Sequence, residues 1–133
     1  KKLMENNRCD IGTLASNIEN KEDLSNKNIV KVSTNEKLKN DSFLVVEDFF
    51  RIKKDLNSKN IYHHCGIYSF TKDALTRYVS LSRSKLEKER NLEQMRAMEN
   101  KMLIKVGLAN FSPLSVDTKE DLIKIKKEMK NYE

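Results

Sequence analysis

The sequence predicts an α/β fold, a sheet with helices packed on it, and three observations carry the prediction. Short apolar, β-branched or alternating runs recur at residues 10–18, 29–34, 42–46, 61–70 and 102–108. Between and after them stand stretches with apolar residues at helical spacing, at 71–79, 84–100 and 118–132. Ser or Thr caps open each of those stretches. Strands that alternate with helices bury the faces of both by layering one on the other. With 133 residues the chain holds one domain around one core, without repeats, low-complexity tracts or an internal boundary.

Taken in order, residues 2–8 read as the end of a helix whose beginning is absent, and the chain does not start with Met, so a piece of a longer protein is expected. Residues 10–18 are apolar with small Gly12 and Ala15, which suits a strand buried on both faces. Asn20, with Asp23 three residues on, opens a short helical turn. Residues 29–34 form a β-branched strand, 35–41 a polar turn, and 42–46 the return strand; 47–52 receive no assignment and 53–60 are a charged loop. After the strand at 61–70, Thr71 caps a helix with Ala74, Leu75, Tyr78 and Val79 on one face. Ser84-Lys85-Leu86-Glu87 is a capping box, and the helix it opens is expected to run to about Asn100 with Leu92, Met95, Met98 and Met102 turned inward. A strand at 102–108 and a loop with the only proline, Pro113, lead to Thr118, which caps a last helix carrying Leu122, Ile125, Met129 and Tyr132 on one face.

Composition narrows the function classes. Net charge is +6, but Lys and Arg are scattered among acids, as in Lys119-Glu120-Asp121, rather than clustered beside aromatics, so no nucleic-acid partner is expected. The two cysteines, Cys9 and Cys65, have neither the spacing of a zinc site nor the density of a disulfide scaffold, and reduced thiols in a cytoplasm are the expectation. No apolar run approaches the roughly 20 residues of a membrane span, and no membrane partner is expected.

Three clusters can carry chemistry. Alternation along 61–70 puts His64, Gly66 and Tyr68 on one face and Cys65, Ile67 and Ser69 on the other, with open backbone at Gly66 where a ligand can approach. His63 points to the opposite face from His64 and reads as structural. Glu93 and Gln94 offer acceptors and donors of the kind a polyhydroxylated ligand needs, although on a helix this rich in charge a solvated face is the simpler reading of the spacing. Asp117, between a loop and a helix, can be a helix-capping acid or a hard-oxygen ligand for Mg²⁺, and spacing leaves both readings open. There is no nucleophile elbow, HExxH, P-loop or GxGxxG.

These residues stand in a longer order. His64-Cys65-Gly66-Ile67-Tyr68-Ser69-Phe70 is followed by Arg77-Tyr78-Val79-Ser80-Leu81, then Ser84-Lys85-Leu86-Glu87, then Leu92-Glu93-Gln94-Met95-Arg96-Ala97-Met98-Glu99-Asn100, then Val116-Asp117-Thr118-Lys119-Glu120-Asp121-Leu122. The series resembles the C-terminal half of the 3-deoxy-manno-octulosonate cytidylyltransferases, the CMP-Kdo synthetases, over about residues 11–130. Gly12-Thr13-Leu14-Ala15 and Asn28-Ile29-Val30-Lys31-Val32 resemble two earlier strands of that family.

The resemblance implies a Rossmann-like, GT-A-like nucleotidyltransferase fold, of which residues 1–133 form one partial domain with a mixed sheet and flanking helices. It implies transfer of CMP from CTP to Kdo with release of pyrophosphate, for lipopolysaccharide assembly, by a cytoplasmic homodimer. It places Kdo-binding roles on His64, Tyr68, Glu93 and Gln94, and a Mg²⁺ ligand on Asp117. Two other outcomes remain open: a cytidylyltransferase for another acidic sugar, or a non-catalytic dimerisation domain. The family's glycine-rich CTP loop and its second metal carboxylate have no counterpart here, so the chain alone is expected to be inactive. Residues 43–51 occupy the place of a family segment without its Ser-Arg pair, Lys85 replaces a usual Pro, and Arg90 stands where Glu is common.

Overall fold

In the computed structural model β1, Ile11–Ser16, is buried along nearly all its length. The structure describes residues 8–52, 60–110, 116 and 118–130. β1 pairs antiparallel with β4, Ile61–Phe70, and parallel with β5, Ile104–Leu108. β2, Lys31–Thr34, lies between β4 and β3, Phe43–Phe50, antiparallel to both. β3 then bends so that Phe43–Val45 also pairs with β5, and the sheet closes on itself in the order β1-β4-β2-β3-β5. The sheet is therefore mixed, as expected, with β1 and β5 as its parallel pair.

The interior is filled from several strands at once: Ile11 and Ala15 of β1, Val32, Phe49, Tyr62 and Val106 are all buried. Tyr62 is able to sit there because its hydroxyl accepts the Leu38 N–H at 2.9 Å. Lys31 is fully buried, and its Nζ donates to the carbonyls of Asn26 (2.6 Å), Ile29 (2.9 Å) and Arg51 (2.5 Å). Three protons thus meet three acceptors, which is what a buried ammonium requires.

β3 runs four residues beyond the segment expected as a strand. The alternation is broken because Thr34 pairs with Val46 while Ser33 pairs with Asp48, leaving Glu47 as a bulge. The helices follow the capping residues. α1, Lys72–Ser80, begins where the Thr71 hydroxyl accepts the Ala74 N–H at 3.1 Å. Of its expected inward face, Ala74 is buried, but Leu75 and Val79 are exposed and rim an apolar hollow of about 210 Å³.

The expected continuous helix from Ser84 to Asn100 is two helices, α2 (Lys85–Arg90) and α3 (Gln94–Glu99). Asn91 takes the left-handed conformation, φ 52°, and ends the first. Asn tolerates that region better than other residues with a Cβ. The inward stripe nevertheless holds, with Leu92, Met95 and Met102 buried and Met98 packed against them. α4, Lys119–Lys130, opens with the expected reciprocal cap between Thr118 and Asp121. None of its residues is buried, and Leu122 and Met129 are exposed. The expectations for residues 2–7, 53–59, 111–115 and Tyr132 lie outside the described residues.

Candidate functional site

A cleft of about 700 Å³ opens where the middle of β4 faces the break between α2 and α3. His64, Tyr68, Glu93 and Gln94 all line it, joined by Gly66, Glu87 and Asn91. β4 supplies the first two because His64 and Tyr68 share a face, as alternation predicts, although a bulge intervenes: Thr13 pairs with Tyr68 and Leu14 with Cys65, leaving Gly66 and Ile67 unpaired. Two extra residues preserve the parity of the strand. The rings of His64 and Tyr68 are consequently 5.4 Å apart, and Phe49 meets His64 edge-on at 5.0 Å. A Cβ on Gly66 would find nothing within 4 Å, so the approach to the cleft is open there.

The helix break supplies the other wall. Without the left-handed Asn91, residues 92–94 would continue along α2; with it, Glu93 becomes the residue before α3 and Gln94 its first. Gln94 is buried and Glu93 exposed, and the Glu93 backbone carbonyl accepts the Tyr78 hydroxyl at 3.1 Å.

Burial, and secondarily neighbouring His63, pushes the His64 imidazolium down to about 4, so the ring is neutral near pH 7. Burial, reinforced by Glu93 and Tyr78, pushes the Tyr68 phenol well above its usual range, so it remains a hydroxyl. His64 Nε2 lies 2.8 Å from the Thr13 hydroxyl, which also donates within the β4 bulge to the Ile67 carbonyl at 2.8 Å and approaches the Cys65 carbonyl at 3.3 Å.

Glu87 is the electrostatic anchor beneath the cleft. Its carboxylate receives Arg96 in a two-pronged grip (2.9 and 2.6 Å), the Ser84 N–H (3.0 Å) and Arg83 Nε (3.2 Å). Arg96 first, then the Ser84 amide and Arg83, hold its pKa down to about 2 against the opposing effect of burial. Arg96 also lies 5.0 Å over the Tyr78 ring, so its guanidinium is committed to structure.

Sequence reasoning missed three residues. Arg51 and Arg83 bring two cations to the cleft, and Thr13 holds His64 from below. Arg51 stands within the segment that lacks the Ser-Arg pair, and Arg83 in the connector before α2, so neither carried a pattern. The buried small polar residue in β1 was the available signal for Thr13. Asp117 lies outside the described residues, so the expected metal ligand has no place in this geometry. Among the described residues no helix is long and apolar enough to cross a membrane.

Comparison with known proteins bears on the family and the fold. The chain is 38% identical to the 3-deoxy-manno-octulosonate cytidylyltransferase of Bartonella bacilliformis, over 94% of this chain and 51% of that protein. It is 39% identical to the protein of the same name from Thermodesulfovibrio yellowstonii, over 98% of this chain and 52% of that one. The solved structure of a CMP:2-keto-3-deoxy-manno-octonic acid synthetase, complexed with CTP, shares the fold with a TM-score of 0.79 at 24% identity, over 98% of this chain and 53% of that chain. The chain spans about half the length of the curated relatives it matches. The cytidylyltransferase family profile matches residues 1–104, and with more than half the sequence inside it the chain belongs to the cytidylyltransferase family.

Proposed function

We propose that the chain supplies the sugar-binding side of a CMP-Kdo synthetase, which transfers CMP from CTP to Kdo and releases pyrophosphate. The observation that carries this reading is the convergence of His64, Tyr68, Glu93 and Gln94 on one cleft together with Arg51 and Arg83. An acidic polyol asks for that mixture: cations for a carboxylate, and neutral donors and acceptors for hydroxyls. Tyr68, kept protonated, both donates and accepts. Gln94 offers an amide of fixed position on α3, and Glu93 a carboxylate acceptor at the start of the same helix. Arg83 gives only its Nε–H to Glu87, and Arg51 gives one N–H each to the Lys27 and Asn91 carbonyls, so both guanidinium groups keep further N–H donors that can meet a sugar carboxylate. Relatives that carry the matching name, and a fold neighbour solved with CTP, support the same reading.

In this reading the full-length protein is a cytoplasmic homodimer, and its product feeds lipopolysaccharide assembly. Asp117 would hold Mg²⁺, a hard cation suited to a carboxylate, water and phosphate oxygens. Such an ion supplies charge neutralisation on the transferring phosphate. The test is calorimetric titration of the full-length protein with Kdo, N-acetylneuraminate and a neutral hexose. Kdo should bind at least about tenfold more tightly than either competitor, and Arg83→Ala should weaken Kdo but not the hexose. Preference for neuraminate would shift the substrate to another acidic sugar. Absence of all sugar binding in an intact dimer would leave a purely structural role.

A further inference from the structure

We propose that Thr13 is a positioning residue that fixes His64 in its Nε2–H tautomer and thereby presents Nδ1 to the cleft as a hydrogen-bond acceptor for a sugar hydroxyl. The inference rests on the sugar-binding reading above for its ligand, but its geometry is independent of it. Thr13 is buried, and its hydroxyl oxygen lies 2.8 Å from both His64 Nε2 and the Ile67 carbonyl, with the Cys65 carbonyl at 3.3 Å. A hydroxyl has one proton and a carbonyl can only accept. If that proton pointed to Nε2, the Thr13 and Ile67 oxygens would face each other at 2.8 Å with no proton between them. Donation to the bulge carbonyl removes that repulsion and leaves Nε2 to donate to Thr13. The neutral ring then carries its lone pair on Nδ1.

Nδ1 has no partner among the described residues, and the ring lines the cleft. The β4 bulge is what makes this possible. By leaving Gly66 and Ile67 out of the ladder, it brings the Ile67 carbonyl to Thr13 instead of to a strand neighbour. His64 therefore takes a hydrogen from its ligand, and the donor groups of the site are left to Tyr68, Gln94 and the arginines.

The experiment is long-range ¹H–¹⁵N correlation NMR of the full-length protein at neutral pH, with calorimetric Kdo titrations of the same samples. The wild type should show a protonated Nε2 and a pyridine-like Nδ1 at His64. Thr13→Ser should preserve that signature, while Thr13→Val should lose it and weaken Kdo about tenfold, as expected for one mispositioned hydrogen bond. An Nδ1–H signature in the wild type, or the same Nε2–H signature in Thr13→Val, overturns the assignment to Thr13, and the wild-type spectrum decides even if Thr13→Val fails to fold. An Nε2–H tautomer in the wild type that Thr13→Val loses without any weakening of Kdo overturns the acceptor role alone. An Nε2–H tautomer in a wild type that binds no Kdo overturns the sugar ligand and leaves the tautomer standing.

Discussion

Arg90 of α2 reaches across to Asp48 of β3, with Nη1 2.5 Å from Oδ1, and the same Nη1 donates to the Phe49 carbonyl at 2.6 Å. The resemblance puts a Glu at the place of Arg90, and an Arg on the segment that here carries Asp48. A sign reversal at one position is thus matched by an acid on the facing strand. Both side chains are about one quarter exposed (31% and 22%), so solvent screens the pair incompletely.

Arg90→Glu should therefore set two acids against each other and lower stability, and Asp48→Arg alone should do the same with two cations. The double exchange, Asp48→Arg with Arg90→Glu, should recover part of the loss, with a coupling on the order of 1 kcal/mol. Denaturant unfolding of the four proteins measures it; additive losses in the double variant would show that the contact carries no energy.

Acid should unfold the protein in two stages. His64 titrates at about 4 when folded and about 6.5 when unfolded. Between those values the unfolded chain binds a proton that the folded chain refuses, so this contribution is complete above pH 6.5 and is lost as pH falls through 4, on the order of 3 kcal/mol in all. His63, also held down by burial, adds to the same stage. Glu87 acts lower: its contribution is present above its ordinary value of 4.5 and is lost as pH falls toward 2. His64→Gln should remove the larger share of the upper stage and leave the lower one. A pH–stability curve unchanged by that substitution would sink the assignment.

The two structured strand glycines outside β1 should behave oppositely on substitution. A Cβ on Gly107 would lie 2.5 Å from the Phe43 ring that pairs across from it, whereas one on Gly66 meets nothing. Gly107→Ala should cost about 2 kcal/mol through overpacking, partly recovered by adding Phe43→Leu. Gly66→Ala should change stability by no more than about 0.5 kcal/mol while weakening Kdo, because its methyl enters the cleft. Thermal melts and titrations of both variants decide.

Asp117→Ala tests the metal reading directly. In the full-length enzyme it should lower CMP transfer by orders of magnitude and raise the Mg²⁺ concentration needed for half-maximal rate. Turnover equal to wild type across a Mg²⁺ series would remove Asp117 from the site.

Much of this was legible in the chain. β4 and the Thr71, Ser84 and Thr118 caps could be read because local chemistry decides them: alternation for the strand, a hydroxyl two or three residues from an orphan amide for each helix start. What escaped was set by contacts distant in sequence. The end of β3 was hidden by the Glu47 bulge, which only pairing with β2 reveals. The α2–α3 break turns on one left-handed Asn, a conformation permitted by the residue but not demanded by it. Leu75 and Val79 have helical spacing, yet none of the described elements covers them. Arg51 and Arg83 became cleft residues only once a strand end and a helix connector met.

Lys31 has a consequence for how the cleft answers to salt. Its ammonium, on a fully buried residue, holds the Arg51 carbonyl, while the Arg83 side chain stands largely in solvent. Rising ionic strength will therefore dim the attraction of the cleft for an anion without shifting the backbone from which Arg51 extends. Affinity for an anionic ligand should decline smoothly with salt while the shape of the cleft persists.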